Sequence, residues 1–490
     1  MDRIVTVLPQ QITLTAEDGI NLLALLRKEG LAPDAVCGGS GTCGKCRVLI
    51  NGEWALACQT AVTADMAVEL PHQADARILT AGQAVSVPAD PLRDGYLVAF
   101  DIGTTTVVCY LLSPSGGELA VQSMLNPQCA YGADVISRIQ KALSGELEQL
   151  TASIRSAMTN MIALCCRDAG ISPDRVGVIS VVGNPCMQQL FLGISPENLA
   201  AVPFAPVLTE AGIQPAADIL PICPDAALLT VPDISGYVGA DTVACVIASR
   251  IYRSRESILL VDIGTNGEMV LVHDGKMVAC STAAGPALEG ANIRFGMRGT
   301  QGAIDHVRSE NGRICCSVIG GGDAAGICGS GIIDAAAVLL ELGLINKRGR
   351  LQTLEEQDGE RIVQLSGQVY LTQNDIRQVQ LAKGAIAAGI QLMSKHCGIS
   401  VSQIDRVILA GAFGSFLSPE SACRIGLLPP ELSGKVTALG NLAGVGAKMM
   451  AINREQFSLS QSLVRSITFL ELADDPSFSR CFAKNMAFPD

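Results

Sequence analysis

The chain has 490 residues, of which 49% are apolar, only 4% are aromatic and 50 are Gly. This composition favours a mixed α/β protein with cores of Ala, Val, Ile and Leu, and the length allows about two to four domains. The formal net charge of −12, without a basic run, argues against a nucleic-acid partner because phosphates would be repelled.

The N-terminus and the cysteines indicate the compartment. The first residues, MDRIVTVLPQ, have neither a basic start nor an apolar signal core, and no apolar run is long enough to span a membrane. The 18 cysteines are spread along a long chain, which favours a reducing compartment where most act as small buried apolar side chains. We therefore expect a soluble cytoplasmic protein without a membrane partner.

The chain opens with the pattern of a small β-grasp domain. Residues 3–8 and 11–16 read as two short strands, and the leucine spacing over residues 20–30 predicts a helix that ends at Gly30. Strand, strand and helix are the first elements of a β-grasp fold. We predict that this domain covers residues 1–71.

Four cysteines follow this helix at a spacing that suits an iron–sulfur cluster. Cys37, Cys43 and Cys46 are spaced C-x5-C-x2-C, and Cys58 comes after an Asn-Gly turn that returns the chain to the same end. The small residues between the first three free the backbone to wrap a cluster and direct N–H groups at its sulfurs. Four thiolates would hold a 2Fe-2S cluster as its metal ligands.

Two other interpretations of these cysteines stay open. A zinc site usually shows two separate C-x2-C pairs, which are missing here, and unliganded thiols in a Gly-rich loop would be prone to oxidation. The segment GTCGKC resembles that of 2Fe-2S ferredoxin domains, although in many of these the last cysteine lies much further along than Cys58 does here. The resemblance implies a 2Fe-2S cluster.

Residues 72–95 are expected to form a linker. They are rich in Pro, Asp and Ala and show no sustained period, so they predict one strand at most. A semi-ordered connection of this kind would let the cluster domain move relative to the rest of the chain.

After the linker, two segments repeat one pattern of strand, Asp-Ile-Gly-Thr turn and strand. They are YLVAFDIGTTTVVCYL, residues 96–111, and ILLVDIGTNGEMV, residues 258–270. In such a hairpin the Gly lets the backbone approach an anion, N–H groups and hydroxyls surround phosphate oxygens, and the Asp holds magnesium through its waters. We assign magnesium positioning to Asp101 and Asp262, and phosphate contacts to Gly103, Thr104, Thr105, Gly264, Thr265 and Asn266. Two copies predict two similar lobes facing each other across a nucleotide cleft.

A third element, VILAGAFGSF at residues 407–416, reads as a strand that enters a Gly-rich loop. Two phosphate hairpins followed by such a loop resemble the actin, sugar kinase and acetate kinase superfamily, in which this loop binds adenosine. The resemblance implies adenosine contacts from Gly411 and Gly414, and two lobes that we place at residues 96–256 and 257–490. The expected fold class is therefore α/β, with a β-grasp ferredoxin-like domain before a two-lobed actin-like (RNase H-like) ATPase.

Several polar positions have both a functional and a structural interpretation. Glu268 could activate or orient a water near the γ-phosphate, or it could face solvent. Asn184 could border the cleft or only cap the helix that follows it. Gly329 and Gly331 open a helix whose N-terminus suits an anion.

Longer segments carry further expectations. Residues 283–305, with Glu289, Arg294 and Arg298, could line the cleft or remain solvated. Helices are predicted over residues 147–169 and 383–397, and a helix with small residues on one face begins near Gly440. Residues from 453 onward contain no motif that indicates catalysis or binding, and they are expected to pack on the second lobe.

With the cysteine loop and both hairpins on one chain, the sequence resembles the reductive activators of corrinoid proteins over nearly its whole length. The segments that carry the resemblance are GTCGKC, DIGTTTV, GADVISRI, PDISGYVGADTVA, DIGTNGE, CGSGIID and LAGAFG. It implies an enzyme that uses ATP and Mg2+ to reduce cob(II)alamin to cob(I)alamin in a methyltransferase system, with one electron passed from the 2Fe-2S cluster. The implied partners are a cobalamin-binding protein and a low-potential electron donor, and a homodimer is left open.

Two other functions stay open. Activators of radical dehydratases resemble the same superfamily but carry a 4Fe-4S cluster between two subunits, for which the chain lacks a further spaced cysteine pair, since Cys165-Cys166 and Cys315-Cys316 are adjacent. A redox sensor that binds nucleotide to regulate a partner would carry the same motifs. ATP turnover stimulated by a corrinoid protein would separate an enzyme from a sensor.

Overall fold

The computed structural model describes residues 2–8, 11–29, 31, 33, 39, 41, 46–70, 82, 87–132, 134–264 and 266–489. Cys37, Cys43 and Thr265, which the sequence analysis assigns to sites, lie outside these residues. Among the described helices, none is both long and apolar enough to cross a bilayer. The described strands form a five-stranded sheet, two six-stranded sheets and two three-stranded sheets.

The N-terminal sheet has the β-grasp arrangement that the sequence predicts. Its elements are β1 (Asp2–Leu8), β2 (Ile12–Glu17), α1 (Leu22–Lys28), β3 (Arg47–Ile50), β4 (Glu53–Leu56) and β5 (Met66–Glu69). The strand order is β2-β1-β5-β3-β4, and the parallel pair β1 and β5 joins two antiparallel hairpins. The leucines of α1 share one core with inward-facing strand residues such as Val5, Val7 and Val68, because alternate strand residues point to the same face of the sheet.

The first lobe contains a six-stranded sheet with helices on both faces. Its elements are β6 (Tyr96–Ile102), β7 (Thr106–Leu112), β8 (Glu118–Leu125), α2 (Val135–Lys141), α3 (Leu147–Ala169), β9 (Val176–Gly183), α4 (Pro185–Leu192), β10 (Gly212–Pro215), β11 (Ala227–Thr230) and α5 (Ala240–Ser249). The order is β10-β11-β9-β6-β7-β8, in which β6, β9 and β11 run parallel. The helix predicted over residues 147–169 is confirmed, and it ends because Gly170 adopts a left-handed conformation with φ of 67°.

The second lobe repeats this plan and adds two small sheets. Its elements are β12 (Ile258–Ile263), β13 (Gly267–His273), β14 (Lys276–Thr282), β15 (Ala303–Glu310), β16 (Arg313–Val318), β17 (Gly326–Ile327), α6 (Gly329–Glu341), β18 (Glu356–Gln357), β19 (Glu360–Ser366), β20 (Val369–Thr372), α7 (Gln373–His396), β21 (Arg406–Ala410), α8 (Gly411–Phe416), α9 (Pro419–Ile425), β22 (Val436–Ala438), α10 (Leu442–Ile452), α11 (Arg454–Ser466), β23 (Ile467–Phe469) and α12 (Phe478–Asn485). The main sheet has the order β22-β21-β12-β13-β14-β23.

The two main sheets place their hairpins equivalently. In the first lobe β6 pairs with β7 on one side and with the parallel strand β9 on the other, and in the second lobe β12 has the same relation to β13 and β21. Each hairpin turn therefore lies at the carboxyl end of a central parallel strand, which is where open α/β sheets bind ligands. The predicted pair of similar lobes is confirmed.

The helix α10 joins the lobes. Its residues share a core with β6, β9 and α5 of the first lobe as well as with β12 of the second. Two glycines permit this close packing, since a Cβ at Gly444 would clash with the Tyr110 ring and one at Gly446 would clash with the backbone of Ala244. The predicted small-residue helix is thus confirmed, and its glycines let it pack between the lobes.

Three expectations about local structure need correction. α7 begins at Gln373, ten residues before the predicted start at Lys383, because Thr372 and Asp375 form a capping box at a polar N-terminal turn. The predicted Gly-rich adenosine loop is instead the short helix α8. The residues after 453 do not pack on the second lobe alone, because α11 also contacts the first lobe, where the Gln461 side chain accepts a hydrogen bond from Ala211 N at 2.6 Å.

The predicted linker is attached at its second half. Residues 72–81 and 83–86 lie outside the described part of the chain. Asp90 exchanges backbone hydrogen bonds with the junction of α10 and α11, accepting from Arg454 N and donating to Ile452 O, both at 2.9 Å. Asn453 Nδ2 donates to Pro88 O at 3.0 Å. Residues 87–95 are therefore part of the two-lobed body.

Candidate functional site

The two hairpin turns have matching backbone geometry. Gly103 N donates to Thr106 O at 2.9 Å in the first, and Gly264 N donates to Asn266 O at 2.8 Å in the second. Each turn follows a buried apolar strand in which the Asp is the second-last residue, before Ile102 in β6 and before Ile263 in β12. Tight turns of this kind present consecutive N–H groups to an anion.

Both turns open onto one cavity of about 340 Å³ between the lobes. Its wall includes most of the residues assigned from the sequence: Asp101, Gly103, Thr104, Thr105, Asp262, Gly264, Asn266, Glu268, Gly329 and Gly411. The wall also contains Asn184, Glu289 and Arg298. The sequence analysis allowed each of these residues either a place in the cleft or a purely structural or solvated position. The tertiary structure therefore brings residues from both lobes to a single site.

Two assigned glycines lie behind this wall rather than in it. A Cβ at Gly331 would clash with Ile304 O, so Gly331 permits α6 to pack closely on β15. A Cβ at Gly414 would lie 3.1 Å from the Leu409 Cβ, against the preceding strand. The structure thus gives both glycines a packing role.

Gly411, at the start of α8, is adjacent to the second hairpin. It has φ of +79°, and a Cβ there would clash with Asp262 Oδ1. Its N–H donates to Gly440 O at 3.1 Å. A glycine is required here both for the left-handed backbone and for the approach of α8 to the carboxylate.

Four carboxyl groups face one another in the cavity wall. Burial raises the pKa of Asp101 to about 6, and burial together with the charge of Asp101 raises the pKa of Asp262 to about 6. Burial and then Asp262 raise the pKa of Asp241 to about 7, and burial and then Asp241 hold the pKa of Glu268 well above its ordinary range. No ion pair among the described residues includes any of the four.

These carboxyl groups fit a hydrated divalent cation held through its waters, because no three His, Cys, Asp or Glu side chains among the described residues are arranged to ligate a metal ion directly. Carboxylate oxygens are the ligands that Mg2+ prefers. A cation would favour the charged forms of these groups, whose pKa values are raised first by burial and, for Asp241, Asp262 and Glu268, also by neighbouring carboxylates. Glu268 lies directly opposite Asp262 in the hairpin register, on the same face of the sheet, which is why it lines the cavity. Asp241, at the start of α5, was not assigned a role from the sequence because an acidic residue in a first helical turn is common.

We expect Mg2+ to stabilise the nucleotide-free protein more at about pH 8 than at about pH 5. The pKa values of Asp101 and Asp262 lie near 6 in the folded state against an ordinary value of 3.8. The stability that protonation provides is therefore present below about pH 4 and is lost as the pH rises through about 6, where the uncompensated charges repel and a cation helps most. The groups that face these two are Asp241, Cys245, Glu268 and Asn441.

Thermal unfolding with and without excess Mg2+ at the two pH values measures this effect. Ca2+ at equal concentration controls for general ionic screening, because its larger radius requires more ligands. Equal shifts in melting temperature at both pH values would contradict the expectation.

A buried arginine supports the first hairpin from behind. Arg138 is 0% exposed; its Nε donates to Gly132 O at 2.9 Å and its Nη2 donates to Thr104 O at 2.5 Å. Asn126 Nδ2 donates to Gly103 O at 2.8 Å. These contacts satisfy the carbonyls of Gly103 and Thr104 on the side of the turn away from the cavity. They explain why the stretch from Asn126 to Arg138 belongs to the site.

Side chains also link the hairpins to their surroundings. Asn184 both caps a helix and borders the cavity, the two roles that the sequence allowed. Its Oδ1 accepts from Met187 N at 3.0 Å at the start of α4, and its Nδ2 donates to Thr104 Oγ1 at 3.0 Å. Thr105 Oγ1 donates to Glu289 Oε2 at 2.9 Å, a hydrogen bond that joins the first lobe to the second.

In the N-terminal domain, the described part of the cysteine loop lies beside Cys58. Gly39 and Gly41 have φ of +104° and +81°, and a Cβ at Gly39 would lie 3.9 Å from the Cys58 Cβ. A Cβ at Gly41 would lie 2.5 Å from Gln59 Nε2. Ala57 N donates to Cys46 O at 2.8 Å, which brings Cys46 to the same turn. Two thiols and a loop that only glycines can form fit an iron–sulfur cluster, whereas Cys37 and Cys43 lie outside the described residues.

Comparison with known proteins gives the family. Residues 5–69 match the model of the 2Fe-2S iron–sulfur cluster binding domain, residues 96–254 that of the RACo middle region, and residues 256–490 that of the C-terminal domain of RACo, the ASKHA domain. Corrinoid activation enzyme RamQ from Eubacterium limosum is 38% identical over 420 residues, covering 81% of this chain and 70% of that protein. The chain belongs to the reductive activators of corrinoid proteins.

More distant members of this activator family agree along the length of the chain. The Co(II) methylated amine-specific corrinoid protein reductase of Methanosarcina barkeri is 27% identical over 429 residues, covering 80% of this chain and 77% of that protein. The solved structure of a reductive activator for a corrinoid, iron–sulfur protein superposes with a TM-score of 0.73 at 27% identity, covering 99% of this chain and 98% of that one. The fold class predicted for this activator is confirmed.

Proposed function

We propose that this chain is an ATP-dependent enzyme that reduces the cob(II)alamin of a corrinoid protein to cob(I)alamin, within a methyltransferase system. The observation that carries the proposal is one cavity between two Asp-Ile-Gly-Thr turns, on a chain that also has a ferredoxin domain; four of the carboxyl groups in its wall form no ion pair with any described residue. The family supplies the substrate, since its named members activate or reduce corrinoid proteins.

The proposed residue roles rest on the two turns, on the acidic side chains beside them and on the cysteine spacing. Asp101 and Asp262 would position the hydrated magnesium of Mg-ATP, and the two turns would bind its phosphates through Gly103, Thr104, Thr105, Gly264, Thr265 and Asn266. Glu268 would orient the attacking water, and Gly411 would contact adenosine. A 2Fe-2S cluster held by Cys37, Cys43, Cys46 and Cys58 would supply a one-electron carrier.

The proposed role of ATP is to supply the free energy that electron transfer to cobalt requires. A plant-type 2Fe-2S centre has a potential of roughly −400 mV, and each ~59 mV uphill costs a one-electron transfer about 1.4 kcal/mol. Reducing Co(II) of a corrinoid is uphill by several such steps. Closure of the lobes on ATP would favour a docked state in which cobalt has lost an axial ligand, so that Co(II) accepts the electron more readily. A low-potential donor supplies the electron, and we place the protein in the cytoplasm.

The decisive experiment is anaerobic. The reduced protein, freed of excess reductant, is mixed with a cob(II)alamin-loaded corrinoid protein, and the visible spectrum is followed with Mg-ATP, with Mg-ADP and without nucleotide. We expect cob(I)alamin only with Mg-ATP. Equally fast cob(I)alamin formation without nucleotide would refute the role of ATP. A 2Fe-2S spectrum without cobalt reduction, across several corrinoid proteins, would move the function to a redox sensor.

A further inference from the structure

Asn441 links the adenosine side of the cavity to its magnesium side. It is the N-cap of α10, and its side chain is 6% exposed and lines the cavity. The preceding residue, Gly440, accepts the backbone hydrogen bond from Gly411 at the start of α8. Asn441 itself reaches the first hairpin strand, 340 residues away in sequence, at Asp101.

The orientation of the Asn441 amide is determined by its partners. Its Oδ1 accepts from Gly444 N at 2.8 Å, so its Nδ2 must be the group that faces Asp101. Nδ2 donates to Asp101 Oδ2 at 2.9 Å and to Tyr110 Oη at 3.3 Å. Every hydrogen-bonding atom of the amide thus has a fixed partner, and the amide fixes the rotamer of Asp101 in turn.

We propose that Asn441 is a positioning residue for Mg-ATP: its amide holds Asp101 Oδ2 and leaves the other carboxylate oxygen, Oδ1, for the hydrated metal. The inference rests on the proposed function, because it concerns the same nucleotide site. Partners that orient a metal-binding side chain typically change metal affinity by about 10- to 100-fold when they are removed. Since Asn441 caps the helix that joins the lobes, it also makes the position of Asp101 depend on the arrangement of both lobes.

Two substitutions separate this role from helix capping. Asn441→Ser keeps a side-chain oxygen that can cap α10 but removes the amide donor, whereas Asn441→Ala removes both. Tyr110→Phe is the matched control, because it keeps Asn441 and Asp101 and deletes the hydroxyl that is the second acceptor of Nδ2. The measurements are calorimetric ATP binding as a function of Mg2+ concentration, ATP binding in EDTA, and thermal unfolding of each variant.

We expect the Mg2+ concentration for half-maximal ATP binding to rise about 10- to 100-fold in both Asn441 variants and to stay unchanged in Tyr110→Phe. ATP binding in EDTA should be the same in all, and only Asn441→Ala should lose thermal stability. Wild-type Mg2+ dependence in Asn441→Ser would overturn the inference and leave Asn441 as a helix cap. Wild-type protein that binds no Mg-ATP would instead refute the proposed function, so the two failures are distinguishable.

Discussion

Replacing Asp262 by Asn will reduce ATP turnover by about 100-fold or more. Asn keeps the size of the side chain but removes the charge that would position the hydrated metal. The same change removes a buried carboxylate that repels Asp101 across the cavity. In the wild type, burial and the charge of Asp101 together raise the pKa of Asp262. We therefore expect the nucleotide-free variant to be at least as stable as the wild type at about pH 8, because an unfavourable pair of buried charges is gone.

The measurement for this substitution is steady-state phosphate release together with a thermal unfolding curve. Asp358→Asn is the matched control in the same lobe, since Asp358 is exposed and its ion pair with Arg294 is a surface contact worth little. Unchanged turnover in Asp262→Asn would exclude Asp262 as a magnesium-positioning residue. A variant that is both inactive and unfolded at a lower temperature would indicate a structural role instead.

Replacing Cys58 by Ser will remove the 2Fe-2S cluster and, with it, cobalt reduction. Cys58 lies in the turn Ala57–Gln59, beside Gly39 of the cysteine loop. A serine hydroxyl is a poor substitute for a thiolate as a ligand of iron. The proposed ATP turnover without a corrinoid protein should persist, because the residues that line the cavity all lie in the two lobes.

Iron and sulfide content and the visible absorbance of the anaerobically prepared variant measure the loss. Cys315→Ser is the control, because Cys315 lies on β16 in the second lobe and should leave both quantities unchanged. A full complement of cluster in Cys58→Ser would mean that the fourth ligand lies elsewhere in the chain.

The local parts of the architecture could be predicted because their determinants are adjacent in sequence. Each phosphate hairpin is one continuous segment, so the Asp, the turn and both strands are read together. The β-grasp domain and the C-x5-C-x2-C loop are equally local. The helix boundary near Gly170 follows from a single glycine with left-handed backbone.

The start of α7 and the form of the adenosine segment could not be read in the same way. The first turns of α7 contain polar residues that break the apolar period, and a capping box starts the helix there instead. The GAFG segment looks like a loop because of its glycines, yet α8 forms where Gly411 must pass Asp262. The requirement for glycine at position 411 comes from Asp262, a side chain that is remote in the sequence.

The sequence by itself determined the two Asp-Ile-Gly-Thr turns and the cysteine spacing. It also determined the fold class and the family resemblance, because these rest on short segments in which the informative residues are close together. Only the tertiary structure decided that Asn441 holds Asp101, that Thr105 meets Glu289 across the cleft, and that Arg138 supports the first turn. A hydrogen bond between residues far apart in the chain leaves no periodic or local signal, and Asn441 therefore reads in the sequence only as the beginning of a helix.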